Sequence, residues 1–387
     1  MVANKIIRVA TIPLSLNILL KNQFSFLSQY YKVIAVSSHG NDLEELGSRE
    51  NVKTHAIEIK RKISLMEDLK SLWKLYFYFK KEKPLIVHSI TPKAGLLSMI
   101  AAKMANVPIR MHTFTGLIFP TRTGPMKKLL ITMDKLLCYC ATHVYPEGNG
   151  VRNDLINYKI TTKPLKLLAN GNVNGIDLEY FDPQIISAEE KTELKRKNDI
   201  HPHDFVFLFI GRLVKDKGIN ELIKAFKKFN GKNVKLLLVG PLETEQDPLL
   251  PETLREISEN KNIVAVGFQK DVRPYFAISD VLVFPSYREG FPNVVMQAGA
   301  MNLPSIVTDI NGCNEIIINN QNGIIIPAKN DLILQQAMSK IFEDEEFRNL
   351  LEKNSRKMIA DRFQQKVVLE ALLNEYQTLE NNVQKFS

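Results

Sequence analysis

Cysteine is scarce: three residues, Cys138, Cys140 and Cys313, in a chain of 387. The odd number and the single residue between the first two exclude a disulfide framework, and no second pair of ligands stands near them as a zinc site would need. Buried, reduced thiols in a cytosolic protein are the expectation. The chain also lacks any unbroken apolar run of ~20 residues, so a spanning helix is not expected. Its first stretch, MVANKIIRVATIPLSLNILLKNQ, is cut by Lys5, Arg8 and Asn17 and reads as a first strand and loop instead of a cleavable secretory segment. Tandem repeats, low-complexity tracts and paired-carboxylate metal motifs are absent as well. These absences point to a cytoplasmic chain, either soluble or peripheral on the inner face of the cell membrane.

What is present is ordinary globular composition, 45% apolar and 24% charged residues, over a length suited to two domains. The net charge of +9 is unevenly spread. Residues 1–180 hold 25 Lys plus Arg against 13 Asp plus Glu, a surplus of +12, whereas the remainder has 26 against 29, a balance of −3. Only the first half is therefore expected to meet an anionic partner: a phospholipid surface, a lipid-pyrophosphate acceptor or nucleic acid.

Apolar runs at 6–12, 31–38, 85–90, 107–114 and 141–146 read as strands, with helical periodicity at 64–82 and 93–105 between them. The second half repeats the rhythm, with strands at 204–213, 234–240, 262–268, 280–286 and 304–310. Its helices are expected at 218–229, 249–259, 271–278, 291–301 and 331–342. Strands alternating with helices indicate parallel βαβ units. The expected fold is α/β, with two Rossmann-like domains facing a central cleft. The divide falls within 172–200, giving an N-terminal domain over 1–180 and a C-terminal domain over 181–365. A helical stretch from about 345 to 380 is long enough to return to the first domain, so residues 366–387 are expected to pack there.

Open parallel sheets bind ligands at strand C-terminal ends, where helix N-termini offer unpaired N–H groups to a diphosphate. In FIGRLVKDKGINELI a strand ends at Gly211, Arg212 follows at once, and Lys217 precedes Gly218 at a helix start. Two cations flanking a turn can clamp a diphosphate and neutralise charge on a leaving group. Taken alone, the segment reads first as a solvated basic turn. In SYREGFPNVVMQAGA, Glu289, Gly290 and Phe291 form a turn and Pro292 suits a first helical turn. There a carboxylate can accept bonds from sugar hydroxyls, and the backbone after glycine can approach a ligand closely. Glu289 by itself reads more readily as a surface turn residue or helix cap. Gln297 lies about two helical turns further on.

These segments, with NGID at 174–177, LLLVGP at 236–241, GFQKDVRPYFAISDVLVFPSYREGFPN at 267–293 and NGIIIP at 322–327, run in order over about 170 residues. In that order the second half resembles the retaining glycosyltransferases of family four, of the GT-B architecture. The resemblance implies that Arg212 and Lys217 bind the donor diphosphate and stabilise the departing nucleotide. Glu289, with the backbone of Gly290 and Phe291, would hold the transferred sugar. Gly211, Pro292 and Asn293 would belong to the same donor site, with Gly267 and Phe268 beside the nucleobase. Members commonly carry a second glutamate where this chain has Gln297, which can still offer a carbonyl to a ribose hydroxyl. They also carry a glycine pair where TIPLSLN (11–17) has none, leaving Ser15 and Leu16 in that space.

A cleft histidine is frequent in the family. On that stretch this chain has His112, while Thr115 occupies the position just before Gly116. The resemblance would put His112 among the catalytic groups and Thr115 and Gly116 on the acceptor side, although a histidine hydrogen-bonded within a strand reads as well. His88, followed by Ser89, Thr91 and Lys93, could line the acceptor side or simply precede a helix starting after Pro92. Basic and aromatic residues at 60–62 and 74–83 suit either an anionic membrane or a solvated helix face. TRTGPMKKLL at 121–130 adds charge in an expected loop near the acceptor. The chain is similar to bacterial transferases that build surface polysaccharides on undecaprenyl-pyrophosphate carriers.

The resemblance thus implies retaining transfer from a nucleotide-diphosphate sugar, a UDP-sugar foremost, to a lipid-pyrophosphate-linked glycan. No cofactor or obligatory metal is expected, since Arg212 and Lys217 can supply the positive charge. A soluble acceptor, or a sugar-nucleotide epimerase of the same architecture, are the alternatives among enzymes. The non-enzyme alternative is a nucleic-acid or anionic-surface binder, but no recognition motif supports nucleic acid as a partner.

Overall fold

Residues 4–60, 64–245 and 247–385 are described by the computed structural model, and within them the apolar runs of the sequence form parallel strands. The chain divides into two units, Met1–Gly175 with Gln365–Ser387, and Ile176–Gln364.

In the first unit β1 (Lys5–Val9) leads into α1 (Pro13–Leu19) and α2 (Gln23–Ser28), then β2 (Lys32–Ser37), α3 (Asn41–Glu50) and β3 (Lys53–Ala56). Next come α4 (Leu65–Glu82), β4 (Ile86–Ser89), α5 (Pro92–Met104), β5 (Ile109–Phe114), α6 (Gly124–Cys140), β6 (His143–Pro146) and α7 (Asn149–Asn157). The sheet order is β3-β2-β1-β4-β5-β6, with Ile6 opposite Val33 on one side and Ile86 on the other. Helices on both faces bury these strands, which explains runs such as IIRV and KVIAV that do not alternate with polar residues.

The second unit opens with α8 (Ala188–Lys197), where Ser187 and Glu190 cap each other reciprocally. It continues through β7 (Phe205–Ile210), α9 (Ile219–Lys227), β8 (Val234–Val239), α10 (Pro251–Glu259), β9 (Ile263–Ala265), α11 (Arg273–Ala277) and β10 (Val281–Phe284). Then follow α12 (Asn293–Ala300), β11 (Ser305–Thr308), α13 (Cys313–Ile316), β12 (Gly323–Ile326), α14 (Asp331–Glu343) and α15 (Glu345–Phe363). Its sheet order, β12-β11-β10-β7-β8-β9, is that of the first. In each sheet the connection reverses beside the first strand, between β1 and β4 and between β7 and β10. These are the switch points at which doubly wound sheets bind ligands.

The last helix, α16 (Gln365–Lys385), belongs to the first unit. It buries Leu372, Leu373, Tyr376 and Leu379 against Ile6, Leu20 and Phe24. Arg8, only 2% exposed, donates through Nη1 to the Tyr376 hydroxyl at 2.9 Å. The hydroxyl hydrogen then faces His88 Nδ1 at 2.7 Å, and His88 Nε2–H faces Thr113 Oγ1 at 2.8 Å. This chain of bonds assigns the His88 tautomer. It satisfies groups that would be costly to bury alone.

Several expectations need correction. Residues 11–17, read as a loop, hold the start of α1, because Pro13 suits the first helical turn and Leu16 packs into the core. Residues 121–130, read as a loop, contain the start of α6 at Gly124-Pro125. The long terminal stretch breaks at Gln364, whose extended backbone (ψ 131) separates α15 from α16. Pro292 stands as the residue before α12, one place ahead of the expected first turn. Of the basic group at 60–62, Arg61 and Lys62 lie outside the described residues.

Candidate active site

At the switch point of the second unit the chain leaves β7 through Gly211 and Arg212, makes a short 3₁₀ turn at Lys215–Lys217, and enters α9 after Gly218. Gly218 has a left-handed backbone, φ 71°, and a Cβ there would lie 2.1 Å from the carbonyl oxygen of Pro285. Only glycine lets this turn press on the segment that follows β10. From the other side Gly312, φ 75°, backs the Glu289–Phe291 turn, and a Cβ on it would sit 2.3 Å from the Gly290 oxygen.

These two close approaches bring Lys217 and Glu289 together. Lys217 Nζ donates to Glu289 Oε1, and Ser286 Oγ donates to the same oxygen at 2.8 Å. Ser286 is itself held, since its carbonyl accepts from Thr308 Oγ1 at the end of β11. The Lys217 ammonium also lies 5.4 Å above the Phe284 ring. Both charged side chains are mostly buried, with 20% and 15% of their surface exposed, so their attraction is screened less than at an open surface. Arg212 differs: it is exposed, and its guanidinium pairs with Glu243 at 2.5 Å. Beneath the pair the Cys313 thiol is pushed well above its usual pKa, by burial first and then by the Glu289 charge. It is a neutral thiol with no nucleophilic character.

The other residues expected on the donor side lie in the segments after β10 and β9. Gly290 and Pro292 are buried, and the Phe291 ring packs inward on Phe363 at 5.4 Å, leaving its backbone for any ligand contact. Asn293 and Gln297 are half-buried on the first turns of α12. Gly267 and Phe268 follow β9, with the Gly267 carbonyl accepting from Gly240 N at 2.8 Å and the Phe268 ring 66% exposed. Ser286, Thr308, Gly312 and Glu243 had no place in the sequence reading. Ser286 lies within the quoted PSYREG segment and could have been found there.

His112 and His88 of the first unit are interior. His112, expected among the catalytic groups, is buried in β5 with Nδ1 at 2.8 Å from Ser89 Oγ. Burial lowers its pKa to about 3, so the ring is neutral at physiological pH. Helix α5 crosses it at Gly95, where a Cβ would lie 2.4 Å from His112 Cε1. The ring is thus held within the layer between β5 and α5. His88, expected on the acceptor side, is likewise interior, with both ring nitrogens engaged by Tyr376 and Thr113. The Thr115 hydroxyl is turned to the Ile90 carbonyl at 2.9 Å. Ser15 and Gly116 do share a cavity of about 360 Å³ with Thr11, Thr91, Leu130 and Asp134 at the β1/β4 switch point. The Thr11 and Thr91 hydroxyls meet there at 2.8 Å.

Two doubly wound parallel sheets in one chain are the fold of the GT-B glycosyltransferases, and the second carries the Lys217–Glu289 pair at its switch point. The family is confirmed by comparison. The chain belongs to the glycosyl transferases group 1, whose model matches residues 190–358, while the glycosyl transferase 4-like model matches residues 8–147. It is 35% identical over 378 residues to the capsular polysaccharide biosynthesis glycosyltransferase CapM of Staphylococcus aureus, covering 97% of each chain. It is 31% identical over 309 residues, 78% of each chain, to an Escherichia coli UDP-Gal:alpha-D-GlcNAc-diphosphoundecaprenol alpha-1,3-galactosyltransferase. Among solved structures, Anabaena HepE in complex with UDP-glucose superposes with a TM-score of 0.82 at 17% identity, covering 97% of this chain and 100% of that one.

Proposed function

We propose that this enzyme transfers a sugar from a UDP-sugar to a lipid-diphosphate-linked glycan, with retention at the anomeric carbon, in the assembly of a bacterial surface polysaccharide. The observation that carries the reading is the Lys217–Glu289 pair at the β7/β10 switch point, held by Ser286. A diphosphate at the start of α9 would meet the Lys217 ammonium and the Arg212 guanidinium, while Glu289 would accept hydroxyls of the sugar being moved. In the reaction the bond from the anomeric carbon to the diphosphate oxygen breaks. The acceptor hydroxyl oxygen bonds to the same face of that carbon, and its proton passes to the leaving diphosphate. Arg212 and Lys217 would stabilise the charge that grows there, so no obligatory metal is needed. The names of the S. aureus and E. coli relatives support the polysaccharide, the lipid-diphosphate acceptor and the uridine donor.

The reading includes work at an anionic membrane surface. Among the described residues no helix is long and apolar enough to cross a membrane. Helix α4, however, exposes Leu65, Met66, Leu69, Trp73 and Phe77, with Leu65 at 84% and Phe77 at 64%. Lys70, Lys74, Lys80 and Lys81 are carried on the same helix. Apolar and basic residues on one interfacial helix suit insertion among anionic headgroups.

Thermal unfolding with UDP, GDP and ADP tests the donor site. At ~100 times its dissociation constant a nucleotide stabilises the folded chain by about 2.7 kcal/mol. The expected result is selective stabilisation by UDP, lost when Arg212→Ala and Lys217→Ala are combined. Stabilisation that persists in the double variant would remove these residues from the donor site.

A further inference from the structure

The cavity at the β1/β4 switch point has a lining the reaction described so far does not use. Its walls are mainly apolar, with Leu96 from α5, Leu117 after β5, and Leu130 and Met133 from α6. The same lining contains one carboxylate, Asp134, and one ammonium, Lys93, and the latter is paired with Asp68 at 2.6 Å. Asp134 has no such partner: among the described residues no hydrogen bond or ion pair engages it, and burial alone lifts its pKa to about 7. A half-buried carboxylate that faces an apolar cavity and has no protein partner is open to a ligand's hydrogen-bond donor.

Resting on the glycosyl-transfer reading above, we propose that this cavity takes the terminal sugar of the acceptor and that Asp134 selects an acetamido sugar there. The carboxylate accepts the acetamido N–H while the acetyl methyl lies on the apolar wall. Three features exclude other occupants. A volume of about 360 Å³ is near the lower limit for ligand cavities and matches one substituted sugar, not an oligosaccharide. A diphosphate would be repelled by Asp134. A sugar bearing only hydroxyls would place no apolar group against Leu96, Leu117, Leu130 and Met133. An acetamido group brings a methyl for that wall and an N–H for Asp134, while Thr11, Ser15 and Thr91 offer hydroxyls to the rest of the sugar. The ionised carboxylate is the binding form, so affinity rises as pH passes upward through about 7. The other titratable groups near it are Lys93 on α5 and Cys138 one turn along α6, whose thiol burial raises to about 12 and which stays neutral throughout.

The test measures binding, so that the donor sugar need not be known. Farnesyl-diphosphate-linked N-acetylglucosamine and its glucose counterpart are titrated into the UDP-loaded enzyme from pH 6 to 8. The wild type should prefer the acetamido compound by at least about tenfold, the scale of a charge-assisted hydrogen bond, and bind it better at pH 8. Asp134→Leu should equalise the two affinities with UDP binding intact. Asp134→Asn, which keeps a carbonyl acceptor, should retain part of the preference but lose its pH dependence. A preference retained in Asp134→Leu, or absent from the wild type, overturns this inference alone. Binding of neither compound while UDP still binds overturns the lipid-linked acceptor reading and this inference with it.

Discussion

Lys217 donates to Glu289 across 72 residues of chain, and the two share their contact oxygen with Ser286. The geometry fixes the carboxylate in place, the preorganisation that the proposed role in holding a sugar needs. Glu289→Gln keeps a carbonyl for Ser286 and Lys217 but removes the charge. Turnover is expected to fall at least about 30-fold, a loss of about 2 kcal/mol of transition-state stabilisation, while the unfolding midpoint moves by only a few degrees. Initial rates with saturating donor, set beside thermal unfolding of the same preparation, check it.

Arg212 stands differently, exposed and tied to Glu243. An exposed ion pair contributes about 0–1 kcal/mol to stability. Arg212→Ala should therefore unfold within a degree or two of the parent while binding UDP more weakly. Glu243→Gln should do the reverse, freeing the guanidinium and tightening UDP binding a few-fold. Calorimetric titration of UDP into both variants checks the pair of effects, and opposite signs are required.

The doubly wound sheets were legible because strands covered on both faces are almost wholly apolar, as in FVFLFI and VKLLLV. The edge strand β3, Lys53–Ala56, escaped notice because its four residues carry lysine, threonine and histidine. Helix α6 was hidden by the Gly124-Pro125 pair, which looks like a turn and is a helix start. Charged residues beside a strand end, such as Lys217 and Glu289, advertise themselves in sequence. Ser286, Thr308 and Gly312 do not, because a hydroxyl or a glycine acquires its role only when another loop is brought against it. His88 and His112 show the converse. A strand histidine looks the same in sequence whether it meets a ligand or, like these two, closes an internal hydrogen bond. Asp134 was passed over for want of tertiary context, since its isolation depends on the walls that α5 and α6 build around it.

Gly218 joins backbone conformation to the site. A side chain there meets both the left-handed backbone and the Pro285 carbonyl. Gly218→Ala should destabilise the second unit by about 2–4 kcal/mol, as strain and overlap combine. Gly267→Ala is the control: its backbone is equally left-handed, φ 68°, but a Cβ would meet nothing within 4 Å. It should lose only about 1 kcal/mol. Urea unfolding of the two variants separates contact from conformation.

Stability should also depend on acid through the two interior histidines. Burial lowers the pKa of His112 to about 3 and that of His88 well below 6.5. Between the unfolded value near 6.5 and these folded values the unfolded chain binds protons that the folded chain does not. Stability is therefore fully present above about pH 6.5 and is lost as pH falls, by up to about 1.4 kcal/mol per pH unit for each histidine. Urea midpoints from pH 7.5 to 5 should show this slope, reduced in His112→Asn. That variant should keep turnover within about tenfold at pH 7.5, because the neutral, buried ring offers no proton to the reaction.

The exposed face of α4 makes a prediction that separates its apolar and basic parts. If Leu69 and Phe77 enter a bilayer while the lysines meet its headgroups, the two contributions respond differently to salt. Replacing Lys74, Lys80 and Lys81 by Gln should weaken flotation with phosphatidylglycerol vesicles and flatten its dependence on ionic strength, since each lysine near an anionic surface contributes about 1 kcal/mol at low salt. Replacing Leu69 and Phe77 by Ser should weaken binding at every salt concentration and leave the salt dependence as steep as in the parent. Both variants change residues more than half exposed or on the basic side of the helix, so unfolding midpoints and UDP binding should be unchanged. Equal flotation of parent and both variants would free α4 of any membrane role, and the exposed leucines and phenylalanine would then require a different partner.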